Sequence, residues 1–459
     1  MMKAIRSKVA SLFSYDALNP GENRLSTSTR TVREDYHVRG SRHTALQENA
    51  NDLCRNMSIA AWMIRKHCDY VAEFRFQSRN EDDNLNTLVE RLMEEDSVPS
   101  RMDVAGRYSR EKMFRVAEQR RMIGGDVLLV KLNDGRLQGI QADLVKTPDK
   151  ERSNENWING VLVNSVGKPV AYGVRERVGL TGTDSGRTIK ASNAIHFGFF
   201  TGFANDQVRG ISPIVSALNP LRDTYENFDY ALARSKVEQL CGLKITLGSE
   251  QETDEEGNVI RGNHEVDFNG GPSLFRLAPG EDANFIANSG QPSNQFQDFQ
   301  NQIIMASLKA VDIPFSFYRE DFTNFFGSRA AALNYERSCK DKRADQVNMR
   351  NDFTNWKLST WIRDGRLSLP SQMKVSDLAW EWIPQSQSWW DPAKELVGQV
   401  GAIAAGLETP QRVARANGSD FEENIKDIAK ARDFAKSFGV NVSFAPEEQE
   451  PDQTTTEIK

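Results

Sequence analysis

The stretch Gly160–Pro169, GVLVNSVGKP, has the outline of a phosphate loop, with glycines ahead of a lysine. In such a loop closely spaced glycines let backbone N–H groups converge on a phosphate, and a Ser or Thr after the lysine binds magnesium. Here the glycines stand too far apart and Pro169 fills the hydroxyl position, so a β-turn is the better reading. His196 lies in an apolar, strand-like run with no carboxylate nearby in sequence, which favours a packed or singly hydrogen-bonded histidine over a general base. The acidic turn Asp254-Glu255-Glu256-Gly257-Asn258 lacks the ligand spacing of a calcium loop. Cys54, Cys68, Cys241 and Cys339 are far apart and form no C-x-x-C, so they fit buried thiols of a reducing cytoplasm better than a zinc site. Neither clustered acidic metal ligands nor a phosphate loop emerges, so an enzyme acting on DNA lacks its parts. The reading calls for no cofactor, no metal and no catalytic residue.

The remaining conspicuous residues are aromatic and fall in one segment, Asn294–Arg343. Phe296, Phe299, Ile303, Ile304, Leu308 and Val311 recur at steps of three and four, which predicts a helix with one apolar stripe. Pro314 ends it, because proline lacks an N–H and pushes Ile313 out of the helical region. An aromatic loop follows, Phe315, Phe317, Tyr318, Phe322, Phe325 and Phe326, with Arg319, Glu320 and Asp321 between. Gly327 and Ser328 punctuate it, and Arg329-Ala-Ala-Ala opens a long basic helix reaching about Trp361. Its charges Arg337, Lys340, Lys342, Arg343 and Arg350 read mostly as a solvated or intersubunit face. That order of parts suits a mechanical element better than a reactive one.

The rest of the chain must hold that segment. With 459 residues it is long enough for two or three domains or one elongated subunit. Charged residues are 27% and the net charge is −6, which argues against a protein that grips nucleic acid by sequence. No apolar run is long enough to span a membrane, and Lys3, Arg6 and Lys8 interrupt any signal-peptide core.

Taken in order, residues 1–45 read as a loosely held polar arm. Leu46–Phe74 reads as one helix with Leu53, Met57, Ala60, Ile64, Cys68 and Val71 on a single face. A helix over Arg110–Met122 ends at Gly124-Gly125, and two strands flank a hairpin turn at Asn133-Asp134-Gly135-Arg136. Ser212 and Pro213 have the types that start a helix, one as N-cap and one as first residue. That helix runs to about Leu240, with Val215, Leu218, Leu221, Tyr225, Phe228, Leu232 and Val237 facing inward; Pro220 predicts a kink or a late start. After a β-rich stretch and the segment above, Ala379–Pro384 is strand-like. Three short helices then begin near Asp391-Pro392, Thr409-Pro410 and Ser419.

Three ordered blocks resemble one family. Arg209-Gly210-Ile211-Ser212-Pro213 with the following helix is the first. Ile313-Pro314 with Asp321-Phe322-Thr323-Asn324 and Ser328-Arg329-Ala330-Ala331 is the second, and Trp390-Asp391-Pro392-Ala393-Lys394-Glu395 through Gly406-Leu407-Glu408-Thr409 to Gly418-Ser419-Asp420 is the third. Together they resemble the portal proteins of lambda-type tailed phages; Phe325-Phe326-Gly327 departs from the Tyr-Ser usual there. The resemblance implies an α+β portal-protein fold: an α/β wing, a two-helix stem, a small β-rich clip and a helical crown. On this chain it places the wing at 46–210, the first stem helix at 211–240, the clip at 241–293 and the second stem helix at 294–312. A tunnel loop follows at 313–329, the wing helix and return strand at 330–384, the crown at 385–444 and a disordered acidic tail at 445–459.

The resemblance further implies a homododecameric ring at one procapsid vertex. Its partners would be the large terminase subunit, major capsid and scaffolding proteins, head-completion adaptors, and double-stranded DNA passing non-specifically, with no membrane. Phe315, Phe317, Tyr318, Arg319, Asp321, Phe322, Asn324, Phe325 and Phe326 are then the tunnel-loop candidates. Lys309 and Arg329 are candidates for contact with DNA or a neighbouring subunit. Gln295, Gln297, Gln300, Asn301 and Gln302 suit either a tunnel surface that neither repels nor holds DNA or a plain solvent face. A different ring-forming phage structural protein is the alternative.

Overall fold

The computed structural model describes residues 32–179, 182–183, 186–200, 202, 205–240, 243–247, 256, 281–285, 294–320, 325–370, 373–385 and 392–442, without the side chains of 183, 234–235, 237–247, 281–285, 325–326 and 392. Helices and antiparallel strands mix along the chain, the α+β class. The N-terminal arm is tied down from Arg33 on, against the expectation of a loose arm to residue 45. In helix α1 (Glu34–His37) the buried Asp35 carboxylate accepts the amides of Val208 and Arg209 at 2.8 and 3.0 Å.

The predicted helix over 46–74 is two helices, α2 (Ser41–Asn56) and α3 (Ser58–Val71), broken at Met57, whose backbone is extended. The apolar period continues across the break, so Leu53, Met57, Ala60, Ile64, Cys68 and Val71 are nonetheless all buried in one core. Strand β1 (Phe74–Ser78) follows, then α4 (Asp83–Glu95), α5 (Pro99–Met102) and α6 (Arg110–Gly124). The hairpin β2 (Asp126–Lys131) and β3 (Leu137–Gln141) forms as its turn predicts, with Gly135 at φ +83°. The phosphate-loop look-alike is the turn between β5 (Val161–Val163) and β6 (Pro169–Val174), closed by the Gly167 amide on the Asn164 carbonyl. β5 and β6 lie inside a four-stranded sheet with β4 (Trp157–Ile158) and β9 (Arg187–Lys190), while β7 (Arg177–Val178) and β8 (Gly182–Thr183) make a small hairpin. β10 (Ala194–Gly198) joins β2 and β3, with β2 central.

Helix α7 spans Leu218–Leu240, the 3-10 turn Pro213–Ala217 preceding it, so Pro220 sits in the first turn and the late start is the outcome. Strands β11 (Leu243–Leu247) and β12 (Glu281–Phe285) pair before α8 (Asn294–Leu308), α9 (Phe315–Arg319) and the 39-residue α10 (Phe325–Arg363). β13 (Trp380–Pro384) returns to pair with β1, Phe76 opposite Trp382. Helices α11 (Pro392–Ala404), α12 (Pro410–Ala416) and α13 (Phe421–Ser437) close the described chain. Asp420, not Ser419, caps α13, accepting the Glu423 amide at 2.9 Å. Cys68 and Cys339 are buried free thiols and Cys54 is half-buried and free.

Where the sheets meet α7, a buried cluster fixes the direction of the chain. Arg209 donates to both oxygens of Asp126, at 2.6 and 2.9 Å, and to the carbonyls of Ala142, Val145 and Asn159. Asp126 also accepts the Gly210 amide and bonds His196 at 3.1 Å. The carboxylate missing from the sequence around His196 thus comes from β2, across the sheet. Burial opposes the charge of Asp126, but Arg209 and His196 outweigh it and hold the carboxyl far below its usual range. Ser212 does not cap; its hydroxyl donates to the Met122 carbonyl at 2.6 Å. Gly210 lies directly on Gly125, itself at φ +91°, so a Cβ on either would overlap the other's backbone. His43 donates Nε2–H to the Gly210 carbonyl at 3.2 Å and accepts from Gln47.

Gly210→Ala should therefore cost more than about 3 kcal/mol, read as a lowered urea midpoint at unchanged slope; a loss below half of that would show the contact to be soft. A second prediction concerns acid. Burial, with the charge of Arg209, holds His43 down at about 4, so it stays neutral in the fold while the unfolded chain takes up a proton below about 6.5. Stability is then complete above pH 6.5 and falls as pH drops toward 4. His43→Gln, which keeps a donor for Gly210, should flatten that part of the profile by up to about 3 kcal/mol. Parallel profiles for the two proteins would remove His43 from the account.

Candidate functional site

The base of α7 and the end of α8 share one core, where Leu218, Leu221, Ile304, Leu308, Val311 and Ile313 are buried together with α2 and α3. Because the start of one helix meets the end of the other, the two run antiparallel away from the body. Beyond that base their apolar residues lose cover. Tyr225, Phe228 and Leu232 on α7, expected to face inward, and Phe299 of the α8 stripe are exposed. Val237 lies outside the described side chains. Periodicity correctly found the stripe, but among the described residues nothing covers its outer part.

Gln300 departs the other way. It is 3% exposed, and among the described residues neither atom of its amide has a partner. Gln295, Gln297 and Gln302 are exposed and Asn301 is half-buried, so only those remain available as surface.

After α8 the chain turns through the 3-10 residues Lys309–Val311 and Asp312, which adopts the left-handed conformation at φ +64°. Lys342 of α10 clamps that turn, donating to the Asp312 carboxylate at 2.9 Å and the Val311 carbonyl at 3.2 Å. Pro314 then starts α9, so the first half of the expected aromatic loop is helical. Phe317 is buried, stacked on Tyr70 at 5.9 Å and edge-on to Tyr335 at 5.7 Å. Phe315 stacks on Tyr318 at 5.7 Å, and Tyr318 meets Trp62 edge-on. Such pairs contribute about 0.5–1.5 kcal/mol each beyond their buried area. Phe315, Phe317 and Tyr318 therefore root the segment in the body.

Arg319 and Lys309 are exposed. Asp321, Phe322 and Asn324 lie outside the described residues, as do the side chains of Phe325 and Phe326, whose backbone already belongs to α10. Arg329, expected to face phosphate or a neighbour's acid, has a partner in its own chain, Glu395 of α11 at 3.5 Å.

Helix α10 is the spine of the body, and its charges, expected on a solvated or intersubunit face, split. Arg337 and Lys340 are exposed. Arg343 pairs with Glu336 and donates to the Tyr70 carbonyl at 2.7 Å. Arg350 is buried, its guanidinium 4.5 Å from the Phe74 ring and 4.6 Å from the Phe114 ring; burial and the charge of Arg110 push it down to about 9, still charged at neutral pH. Gln346 and His67 both bond Glu118, at 2.6 and 2.8 Å. Burial alone would raise Glu118, but Arg121, His67 and Gln346 hold it at about 2. Sequence reasoning missed this cluster, because its members come from α3, α6 and α10.

No group of three or more His, Cys, Asp or Glu residues is arranged to hold a metal, among the described residues. No described helix is long and apolar enough to cross a membrane. A rooted helical pair, an aromatic anchor and one long spine are the marks of a structural subunit. The family of lambda-type phage portal proteins matches residues 24–343, and the chain belongs to it. Portal proteins are structural proteins, not enzymes.

Among solved structures, the chain is similar to one in "Neck of empty GTA particle computed with C6 symmetry", at 14% identity and TM-score 0.49, covering 81% of this chain and 94% of that one. It is also similar to one in "Virion of native gene transfer agent (GTA) particle", at 13% identity and TM-score 0.46, covering 85% and 96%. A third, in "Neck of native GTA particle computed with C12 symmetry", gives 13% and 0.47, covering 79% and 90%. No curated protein matches.

Replacing Gln300 by Leu should stabilise the protein by about 1 kcal/mol or more, since an unsatisfied buried amide costs about 1–3 kcal/mol. A raised thermal midpoint is the readout; a lowered one would mean that the amide has a partner in solution.

Proposed function

We propose that identical copies of this chain close into a ring, dodecameric in the particle, at one vertex of a phage capsid. Double-stranded DNA passes through its central channel, inward during packaging and outward during ejection. The observation that carries the reading is family membership over residues 24–343. Copies joined head to tail must meet through two different faces and close. The uncovered apolar residues of α7 and α8 offer such faces on a strut rooted in the core.

The electrostatics suit passage rather than capture. Affinity for DNA comes mainly from phosphate neutralised by Lys and Arg, and each such contact would slow a sliding duplex. The chain carries −6, and Lys342, Arg343 and Arg350 of the spine are spent on partners inside the subunit. Residues 319–326, beyond the aromatic anchor, are the part of the 313–329 segment left to line the channel. The large terminase subunit would dock at the clip during packaging, with head-completion adaptors replacing it later. Capsid and scaffolding proteins would surround the ring, in the host cytoplasm during assembly and at the portal vertex of the virion.

Negative-stain electron microscopy of the purified protein should show rings with a central hole. A lone monomer at micromolar concentration would refute the reading. Given rings, deletion of Thr323–Phe326 should leave ring formation intact and reduce packaged DNA at least tenfold; full packaging would take the channel role from this segment.

A further inference from the structure

The three C-terminal helices meet the described body chiefly through charged side chains. Among the described residues, none of the three apolar cores, nor any residue packed against them, includes a position beyond Trp382. Helix α13 buries none of its residues. What connects these helices to the body instead is charge. Arg75 of β1 pairs with Glu423, and Arg79, just after β1, pairs with Asp420 at 2.7 Å. Asp83 of α4 pairs with Lys426 at 2.8 Å, Glu381 of β13 with Arg415 at 3.5 Å, and Arg329 of α10 with Glu395 at 3.5 Å.

The pairs use both signs on both sides: the body supplies Arg75, Arg79 and Arg329 with Asp83 and Glu381, and the helices supply the complements. Arg79–Asp420 is the most shielded, with Asp420 at 5% side-chain exposure; in each of the others at least one partner stands open to solvent. Exposed pairs are individually weak and are screened once the Debye length falls to about 3 Å near 1 M salt. An apolar interface would respond in the opposite sense, because many salts strengthen burial.

We propose that the helical module 392–442 is latched to the body by these ion pairs, and docks or releases as ionic strength changes while the body stays folded. This holds whether or not the protein forms a DNA channel. In a setting where packed polyanion and its counterions raise the local salt, the latch would loosen without any change in the apolar cores.

The test uses the full-length protein carrying Asp83→Cys and Lys426→Cys, joined by a short bis-maleimide and resolved by mass spectrometry into links within one chain and links between copies. Versions with only one of the two introduced cysteines correct for salt effects on thiol reactivity and for links to the four native cysteines, and circular dichroism checks that the body remains folded. Intrachain linking should slow by roughly tenfold between 0.05 and 1 M NaCl. Arg75→Glu should slow it at low salt, and adding Glu423→Arg should restore it. Equal rates across salt and in Arg75→Glu would overturn the proposal. Links found only between copies would overturn it too, since the module would then dock on a neighbour.

Discussion

The helical pair α7 and α8 takes its direction from the contact of Arg209 and Gly210 with Asp126 and Gly125. Removing a guanidinium and a carboxylate from water is expensive, so the pair is weak support for stability in itself. Its value is geometric. Arg209 reaches Asp126 and three carbonyls from separate turns, and no other register of the chain would satisfy all of them. Glycine on glycine then brings the backbones closer than any side chain would allow. The start of α7 is thereby aimed before the helix begins, and α8 inherits its position by packing at the same base.

The spine α10 repeats the device. Along its length it meets the body through Lys342 on the Asp312 turn, Gln346 on Glu118, Arg350 among aromatic rings, and Lys357 on Asp96, where Trp361 and Arg366 also donate. Burial opposes the charge of Asp96, yet these donors hold its carboxyl below the usual range. Each contact is specific to one turn of the helix, so sliding by one residue would leave several charges buried and unpaired. That penalty is far larger than the net gain of any one bond.

How much of this the sequence disclosed follows from how local each cause is. The stripe through Leu53 to Val71 was legible because period alone sets it, but the break at Met57 was not, since the period runs straight through. Arg209-Gly210-Ile211-Ser212-Pro213 stood out as a motif, while its reason lay with Asp126, Ala142, Val145 and Asn159 on other elements. Apolarity placed Tyr225, Phe228 and Leu232 inside; it reports affinity for cover and says nothing of whether the same chain supplies it. Arg350 was misread for the mirror reason, charge being taken for exposure when Phe74 and Phe114 waited to receive it. Among the channel candidates, Phe315, Phe317 and Tyr318 were visible as a cluster, but only Tyr70, Tyr335 and Trp62, distant in sequence, reveal that they are an anchor.

These two misreadings describe one arrangement. Arg121, Arg209, Arg350 and Lys357 are buried to about 1% or less, whereas Tyr230, Val397 and Phe434 are each more than two-thirds exposed. A monomer built for independent life keeps large apolar groups in and charges out. A subunit that meets other copies through apolar surface, as proposed for this one, cannot rely on that surface to define its shape beforehand. Directional contacts do it instead: hydrogen-bonded charges inside specify where each helix must lie, and leave the apolar faces free to meet what arrives.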